Sequence, residues 1–152
     1  MQDDIRSIAR RTFEDIFPRC DVEALRAVTD PDVVHHGARP DEPPGFEGVK
    51  ETMLWLAGVF SNQRWEVHDA IVEGDKVVLR LTHHGTHTGP LPGGIAPTGR
   101  TVAYDYFQMF RFRDGKAVEH WGMHDGLQLM RQLGITPGAP AAAQAPAVAG
   151  RT

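Results

Sequence analysis

The chain has 152 residues, a length typical of one domain, and its 41% hydrophobic and 24% charged residues are typical of a globular protein with its own core. A net charge of −4 and the lack of a basic patch argue against a nucleic-acid partner. Cys20 is the single cysteine, so no intrachain disulfide can form. The acidic start and the lack of a long apolar run predict no leader and no membrane span, so we expect a cytoplasmic protein.

The first 60 residues carry apolar side chains mostly at helical spacing. Proline and glycine interrupt this spacing and so mark its boundaries. In chain order, the predicted elements are a helix over 5–17 ended by Pro18, a short helix through Val28 with Asp21 as its N-cap, a strand over 32–36, a turn-rich loop over 37–45, and a helix over 47–60 with Phe60 on its apolar face.

Beyond residue 60 the apolar period changes to two, which predicts strands, and Gly-Asp and Asp-Gly pairs predict hairpins between them. The predicted elements are strands over 65–72, 77–84, 101–113 and 116–124, a loop over 89–99, and a helix over 127–133 closed by Gly134. The stretch from Pro137 to Thr152 is rich in alanine and proline, which predicts a disordered tail.

Helices that precede an antiparallel meander favour an α+β fold. We therefore predict one domain over residues 1–136, in which the N-terminal helices cover one face of a curved, cone-shaped sheet. The hollow between helices and sheet is the natural place for a small apolar ligand.

Four sequence segments, in one order, resemble those of the SnoaL-like polyketide (ester) cyclases, a family of the nuclear transport factor 2-like superfamily. They are Gly85–Gly89, Gly94–Arg100, Phe110–Trp121 and Asp125–Gly134, within a resemblance that covers residues 5–134. The resemblance implies the cone-shaped α+β fold and a cofactor-free intramolecular aldol cyclisation of a polyketide ester. It also implies that Asp125 is the general acid/base.

The residues themselves leave two interpretations of Asp125 open. Counting by twos places Asp125 on the sheet face of Trp121, and a carboxylate desolvated in an apolar cavity is a stronger base. The alternative is an N-cap of the helix that begins near Leu127. His87 is a second catalytic candidate, because a histidine beside the cavity could donate a hydrogen bond to an enolate oxygen, although it could equally hold the glycine-rich loop.

Aromatic and polar side chains on the predicted strands and the third helix are candidates for contact with the substrate. His35 and His36 point to opposite faces of a regular strand, and His120 alternates away from Trp121, which favours a structural role. Histidine pairs four residues apart on a strand lie about 13 Å apart and cannot share one metal ion, so we predict no metal. That no cofactor is needed is what the family resemblance implies. The predicted substrate-binding residues are His36, Phe60, Trp65, Tyr104, Tyr106, Gln108 and Trp121.

Other functions of the same fold remain open. An epoxide hydrolase would need Asp105 and Arg111 to face the cavity together with Asp125, which the alternation from Tyr104 disfavours. A dehydratase or isomerase would use the same hollow with other polar groups, and a ligand-binding protein or an oxygenase partner would not turn over substrate. The outer face of the sheet predicts a homodimer or homotetramer.

Overall fold

The computed structural model describes residues 2–136, so the predicted tail over 137–152 lies outside the described residues. Five strands and the helices form the α+β architecture that the sequence predicts. In chain order they are α1 (Gln2–Arg11), a π-helical turn (Thr12–Ile16), α2 (Phe17–Arg19), α3 (Val22–Ala27), β1 (Thr29–His35), α4 (Phe46–Val59), β2 (Phe60–Glu73), β3 (Lys76–His87), β4 (Thr101–Arg113), β5 (Lys116–His124) and α5 (Gly126–Leu133).

The sheet has the order β1-β5-β4-β3-β2. Strands β2 to β5 form the antiparallel meander that the hairpin signals predict, and β1 pairs with β5 in parallel. The register shifts twice within β2, at Ser61/Arg64 and at Val67/Asp69. Such bulges bend a strand and increase its twist, which curves the sheet around the helices.

The N-terminal helical run continues past Pro18, so the prediction that this proline ends it is wrong. The backbone passes through a π-helical turn, in which the Phe17 N–H donates to the Thr12 carbonyl five residues back. Pro18 then occupies the first turn of α2, where a missing N–H costs little. The run ends at Cys20, which adopts a left-handed conformation.

One face of the sheet is buried beneath the helices. Along β3, Val77, Leu79, Leu81 and His83 are all buried and alternate with more exposed residues, as the period of two predicts. Phe60 is also buried, but it is the first residue of β2 and not the end of α4, because its backbone is already extended there. The buried face and the helices thus enclose a single core.

Gly89 lies against the backbone where α4 ends. Its N–H donates to the Val59 carbonyl over 2.9 Å, and a Cβ at this position would come within 1.7 Å of the Gly58 carbonyl oxygen. We expect Gly89→Ala to lower the free energy of unfolding by about 2 kcal/mol or more, because the backbone must move to admit the methyl group. Urea unfolding followed by circular dichroism measures this loss.

Gly58→Ala is the matched control, because nothing lies within 4 Å of a Cβ built on Gly58 in α4. That substitution should leave the stability unchanged or raise it by up to about 1 kcal/mol, since alanine favours the helix. Equal stability of the Gly89→Ala and Gly58→Ala proteins would contradict the steric role of Gly89.

Candidate functional site

A cavity of about 220 Å³ opens between the helices and the buried face of the sheet. Most of its wall is apolar or aromatic, with a smaller number of polar groups, which is the usual character of a small-molecule site. The lining residues from the helical side are Phe13, Phe17, Val49, Thr52, Trp55 and Leu56; those from the sheet and the loop after β1 are His35, Gly37, Arg39, Trp65, Tyr106, Gln108, His120, Gly122 and His124.

A buried carboxylate holds one of these histidines. The side chain of Glu42 is 1% exposed, and its Oε2 accepts a hydrogen bond from His35 Nδ1 over 2.7 Å. Its Oε1 accepts a hydrogen bond from the Thr52 hydroxyl over 2.5 Å and lies 3.5 Å from the Arg39 guanidinium. A buried carboxylate needs such partners, and here they come from the loop after β1 and from α4.

The Glu42 contact fixes the tautomer of His35. Since Nδ1–H donates to the carboxylate, a neutral ring carries its lone pair on Nε2. The side chain of His35 is 8% exposed and lines the cavity. Gly37 also lines the cavity, and a Cβ built on it would lie 3.5 Å from Nε2. The lack of a side chain at position 37 leaves Nε2 open to a bound molecule.

His120 stacks on His35 and is itself neutral. Its ring lies between those of His35 and Phe110, at centroid distances of 5.0 and 4.6 Å and nearly parallel to both. Its Nε2 donates to Gln108 Oε1 over 2.6 Å. Burial lowers the pKa of His120 to about 3, because the charged ring would lose its water without gaining a counter-ion. The ring therefore carries no charge at neutral pH.

A second cluster of hydrogen-bonded polar side chains lies behind the cavity wall that Trp65 and Tyr106 form. His83 Nε2 donates to Gln63 Oε1, and His83 Nδ1 accepts from the Tyr104 hydroxyl, each over 2.8 Å. Trp65 stacks on His83 at 4.0 Å, and the ring centroids of Tyr104 and Tyr106 lie 5.4 Å apart. Burial raises the pKa of both tyrosines. These contacts fix the aromatic rings of this wall in place.

Three of the residues predicted to bind substrate line the cavity: Trp65, Tyr106 and Gln108. Tyr104 lies on the same sheet face but is fully buried behind them, and Phe60 packs against His83 in the core. Contact of any of these residues with a substrate stays a prediction.

His36 and Trp121 lie on the opposite face of the sheet. Their rings stack on each other at 4.7 Å, and His36 Nε2 bonds to Glu119 Oε2 over 2.6 Å. In the register of β4 and β5, His120 pairs with the buried Phe110, so Trp121 must point outward. The prediction that the face of Trp121 lines the cavity is therefore wrong, and His120 takes the inward position.

Asp125 caps α5. Its Oδ1 accepts a hydrogen bond from the Gln128 N–H over 2.9 Å, as the alternative interpretation predicts. The residue is exposed, so the prediction of a carboxylate enclosed by apolar groups is wrong. It follows His124, which lines the cavity. Burial lowers the pKa of His124 and the charge of Asp125 opposes that shift. A catalytic role for Asp125 stays a prediction.

His87 holds the glycine-rich loop at the end of β3. Its Nδ1 accepts from the Thr98 N–H over 3.2 Å, and its backbone N–H and C=O bond to Arg100 and Gly99. The side chain is fully buried but is not among the residues that line the cavity. This is the loop-holding arrangement that the sequence left open, and the catalytic role of His87 stays a prediction.

Sequence reasoning did not single out the polar groups that converge on the cavity. The alternation of His35 and His36 indicated that one of them points inward, but not which one. His120 lies on β5 within one of the segments that resemble the family, but its alternation from Trp121 favoured a structural role. No sequence pattern marked the others, because they lie in an irregular loop, on a helix or at the cavity's rim. The missed residues are His35, Arg39, Glu42, Thr52, His120 and His124.

Within residues 2–136, no group of three or more histidine, cysteine, aspartate or glutamate side chains is arranged to hold a metal ion. In the same part of the chain, no helix is both long enough and apolar enough to cross a membrane.

A family model of SnoaL-like polyketide cyclases matches residues 7–133. One curated relative, the aklanonic acid methyl ester cyclase AcmA of Streptomyces galilaeus, is 34% identical over 83 residues, which are 54% of this chain and 57% of the relative. The match thus spans a little over half the length of that relative.

Solved structures share the fold over nearly the whole described chain. TsrD from Streptomyces laurentii superposes with a TM-score of 0.80 at 27% identity, over 90% of this chain and 98% of TsrD. IdmH from Streptomyces antibioticus superposes with a TM-score of 0.73 at 31% identity, over 86% of this chain and 99% of IdmH. The predicted α+β cone fold is confirmed.

Proposed function

Because this chain belongs to the SnoaL-like polyketide cyclase family, we propose that it closes a ring in a polyketide ester by an intramolecular aldol reaction, without a cofactor. The supporting observation is the buried Glu42–His35 pair, whose free nitrogen lies on the wall of an apolar cavity. A histidine held in one tautomer by a carboxylate is a suitable general base near neutral pH.

The reaction begins with a methylene flanked by two carbonyl groups, one of them an ester. His35 Nε2 takes a proton from this carbon, and the C–H electron pair becomes the delocalised enolate. The imidazolium that forms is stabilised by Glu42, as in other carboxylate–histidine pairs. Because the pair is enclosed, the charge that Glu42 contributes is screened little by water.

The enolate carbon then attacks a ketone of the same molecule. A C–C bond forms, the C=O π bond opens, and the resulting alkoxide takes the proton back from the His35 imidazolium. The amide N–H groups of Gln108, whose oxygen accepts from His120, can donate to the enolate oxygen. The cavity walls hold the two ends of the substrate together, and effective molarities of about 10⁵ M or more are known for well-oriented pairs.

Asp125 is a second candidate for the proton acceptor. It follows His124 on the cavity's rim, and the family resemblance predicts this role for it. Its oxygen already accepts from the α5 backbone and the residue is exposed, so we place it second to His35. Asp125→Asn keeps the cap and removes the charge, so it separates the two assignments.

The direct test is turnover by the purified protein. Aklanonic acid methyl ester, the substrate in the name of the curated relative, is a suitable first compound. We expect a cyclised product of unchanged mass in the presence of a metal chelator, detected by chromatography and mass spectrometry. Tight binding of this ester, or of a panel of related polyketide esters, without any product would instead favour a ligand-binding or oxygenase-partner role. Conversion of a racemic epoxide to a diol would favour a hydrolase.

We also propose that two copies pair through the outer face of the sheet. Phe107 and Met123 are exposed there, Met123 by 76%, and lie beside Trp121. Apolar side chains grouped on one sheet face are typical of a contact surface.

A further inference from the structure

The cavity between the helices and the sheet has one permanently charged side chain on its wall. Among the described residues that line it, Arg39 is the sole lysine or arginine, and none is an aspartate or glutamate. The Arg39 side chain is 29% exposed, so it is not sealed within the protein. A cation on a mainly apolar wall attracts an anion more strongly than it would in water, because little solvent lies between the two charges.

Three contacts hold the Arg39 guanidinium at this wall. Its Nη1 donates to the Thr52 hydroxyl over 3.1 Å and lies 3.5 Å from Glu42 Oε1. Its Cζ lies 5.2 Å from the centroid of the Trp55 ring. A guanidinium has five N–H groups, and within residues 2–136 the bond to Thr52 is the one hydrogen bond that this guanidinium makes. The remaining N–H groups are therefore available to a bound molecule.

Glu42 links Arg39 to the proposed base. Its Oε2 accepts from His35 Nδ1 over 2.7 Å, while its Oε1 lies beside Arg39. Glu42 is buried and is not among the residues that line the cavity, whereas Arg39 and His35 both are. A ligand in the cavity thus meets the cation and the base, with the carboxylate that joins them behind the wall.

The charges at this wall stay balanced throughout the proposed reaction. Before the reaction, Glu42 and Arg39 carry opposite charges and the base His35 is neutral, so the sum is zero. Removal of the substrate proton puts a positive charge on His35 and a negative charge on the enolate, so the sum remains zero. Without Arg39, two negative charges would face a single cation in an enclosed site, which is strongly unfavourable away from water.

We infer that Arg39 is the anion-binding group of the cavity, whose free N–H groups donate to an oxygen of the delocalised enolate that His35 generates. Charge-assisted hydrogen bonds of this kind are roughly twice as strong as those between neutral groups. Gln108, the other proposed donor, is neutral and offers the enolate no counter-charge. The assignment rests on the proposed function and deepens it, because it names the chemical class that the cavity holds best, a planar enolate anion.

Binding of three small ring compounds that cannot cyclise tests the inference. 4-Hydroxycoumarin is a cyclic β-keto ester that is already an enolate anion at neutral pH. 4-Methoxycoumarin and coumarin are both neutral, one slightly larger than the anion and the other slightly smaller, so they bracket its size. Dissociation constants are measured by calorimetry at neutral pH. For the unmodified protein, we expect the anion to bind about 10- to 100-fold more tightly than either neutral compound, the usual effect of a hydrogen bond to a charged group.

Two variants assign this preference to Arg39. Arg39→Gln should bring the three dissociation constants within about threefold of one another, because it removes the charge that distinguishes the anion from the neutral compounds. Arg80→Gln is the matched control. It changes the net charge by the same amount, but Arg80 is exposed between the buried Leu79 and Leu81 of β3 and pairs with Asp69. The preference should therefore persist in Arg80→Gln, and circular dichroism with a thermal midpoint would show that both variants are folded.

Turnover separates binding of the enolate from binding of the ester. Because Arg39 donates to the enolate, Arg39→Gln should lower kcat and kcat/KM by similar factors of about 10–100 and change KM little. A raised KM with an unchanged kcat would mean that Arg39 binds the neutral ester, and would overturn its assignment to the enolate.

Equal affinity of the unmodified protein for the anion and the neutral compounds would overturn the inference, and that comparison does not depend on any variant folding. A preference that persists in Arg39→Gln, or that falls equally in Arg80→Gln, would also overturn it. Selective binding of the anion without cyclisation of any ester would support Arg39 as the anion-binding group and contradict the proposed reaction. Cyclisation without a preference for the anion would do the opposite.

Discussion

Replacing His35 with glutamine should lower the turnover number of the cyclisation by a factor of about 10²–10⁴, the usual contribution of a positioned general base. Glutamine can still bond to Glu42, so the loop after β1 should keep its conformation, but an amide cannot take up the substrate proton. The rate is measured as product formed under saturating substrate. Unchanged far-ultraviolet circular dichroism and thermal midpoint would show that the variant is folded.

His36→Gln is the matched control, because it changes the adjacent histidine, which lies on the opposite face of the sheet. We expect it to change turnover by no more than about threefold, the effect of a distant substitution and well below that of losing a general base. Turnover that survives His35→Gln but falls a hundredfold or more in Asp125→Asn would remove His35 from the reaction and assign the proton transfer to Asp125.

Acidification from about pH 6.5 to about pH 5 should lower the free energy of unfolding by about 2–3 kcal/mol per pH unit. The cause is that burial lowers the pKa of both His83 and His120 to about 3. In this range the two rings are protonated in the unfolded chain and neutral in the folded one. Protons therefore favour the unfolded state, and the stability present above about pH 6.5 is lost as the pH falls. Urea unfolding at a series of pH values measures the slope.

His120→Phe should reduce that slope by about 1.4 kcal/mol per pH unit, the contribution of one proton, whatever it does to stability at neutral pH. His68→Gln is the control, because His68 is exposed and loses little water on folding. A slope that is the same in the His120→Phe and unmodified proteins would contradict the assignment of a neutral, buried ring to His120.

Asp125, which was predicted to share the cavity face with Trp121, is exposed. Its position illustrates how a local pattern can be correct while the conclusion drawn from it is wrong. Strand alternation was sufficient to put Trp121 and His120 on opposite faces. It could not tell which face the helices cover, because that depends on the pairing of β5 with β4. Once His120 pairs with the buried Phe110, Trp121 and its face turn outward.

Local rules determined much of this protein from its sequence alone. The period of two defined β4 over 101–113 and β5 over 116–124, and Asp21 and Asp125 proved to be helix caps, because these features depend on neighbouring residues only. The tertiary structure decided the candidate site. Glu42 lies in a proline-rich loop with no periodic signal, and its place beside His35 depends on contacts with α4 that are distant in sequence. Long-range packing, and not local preference, therefore selects which polar side chains meet in the cavity.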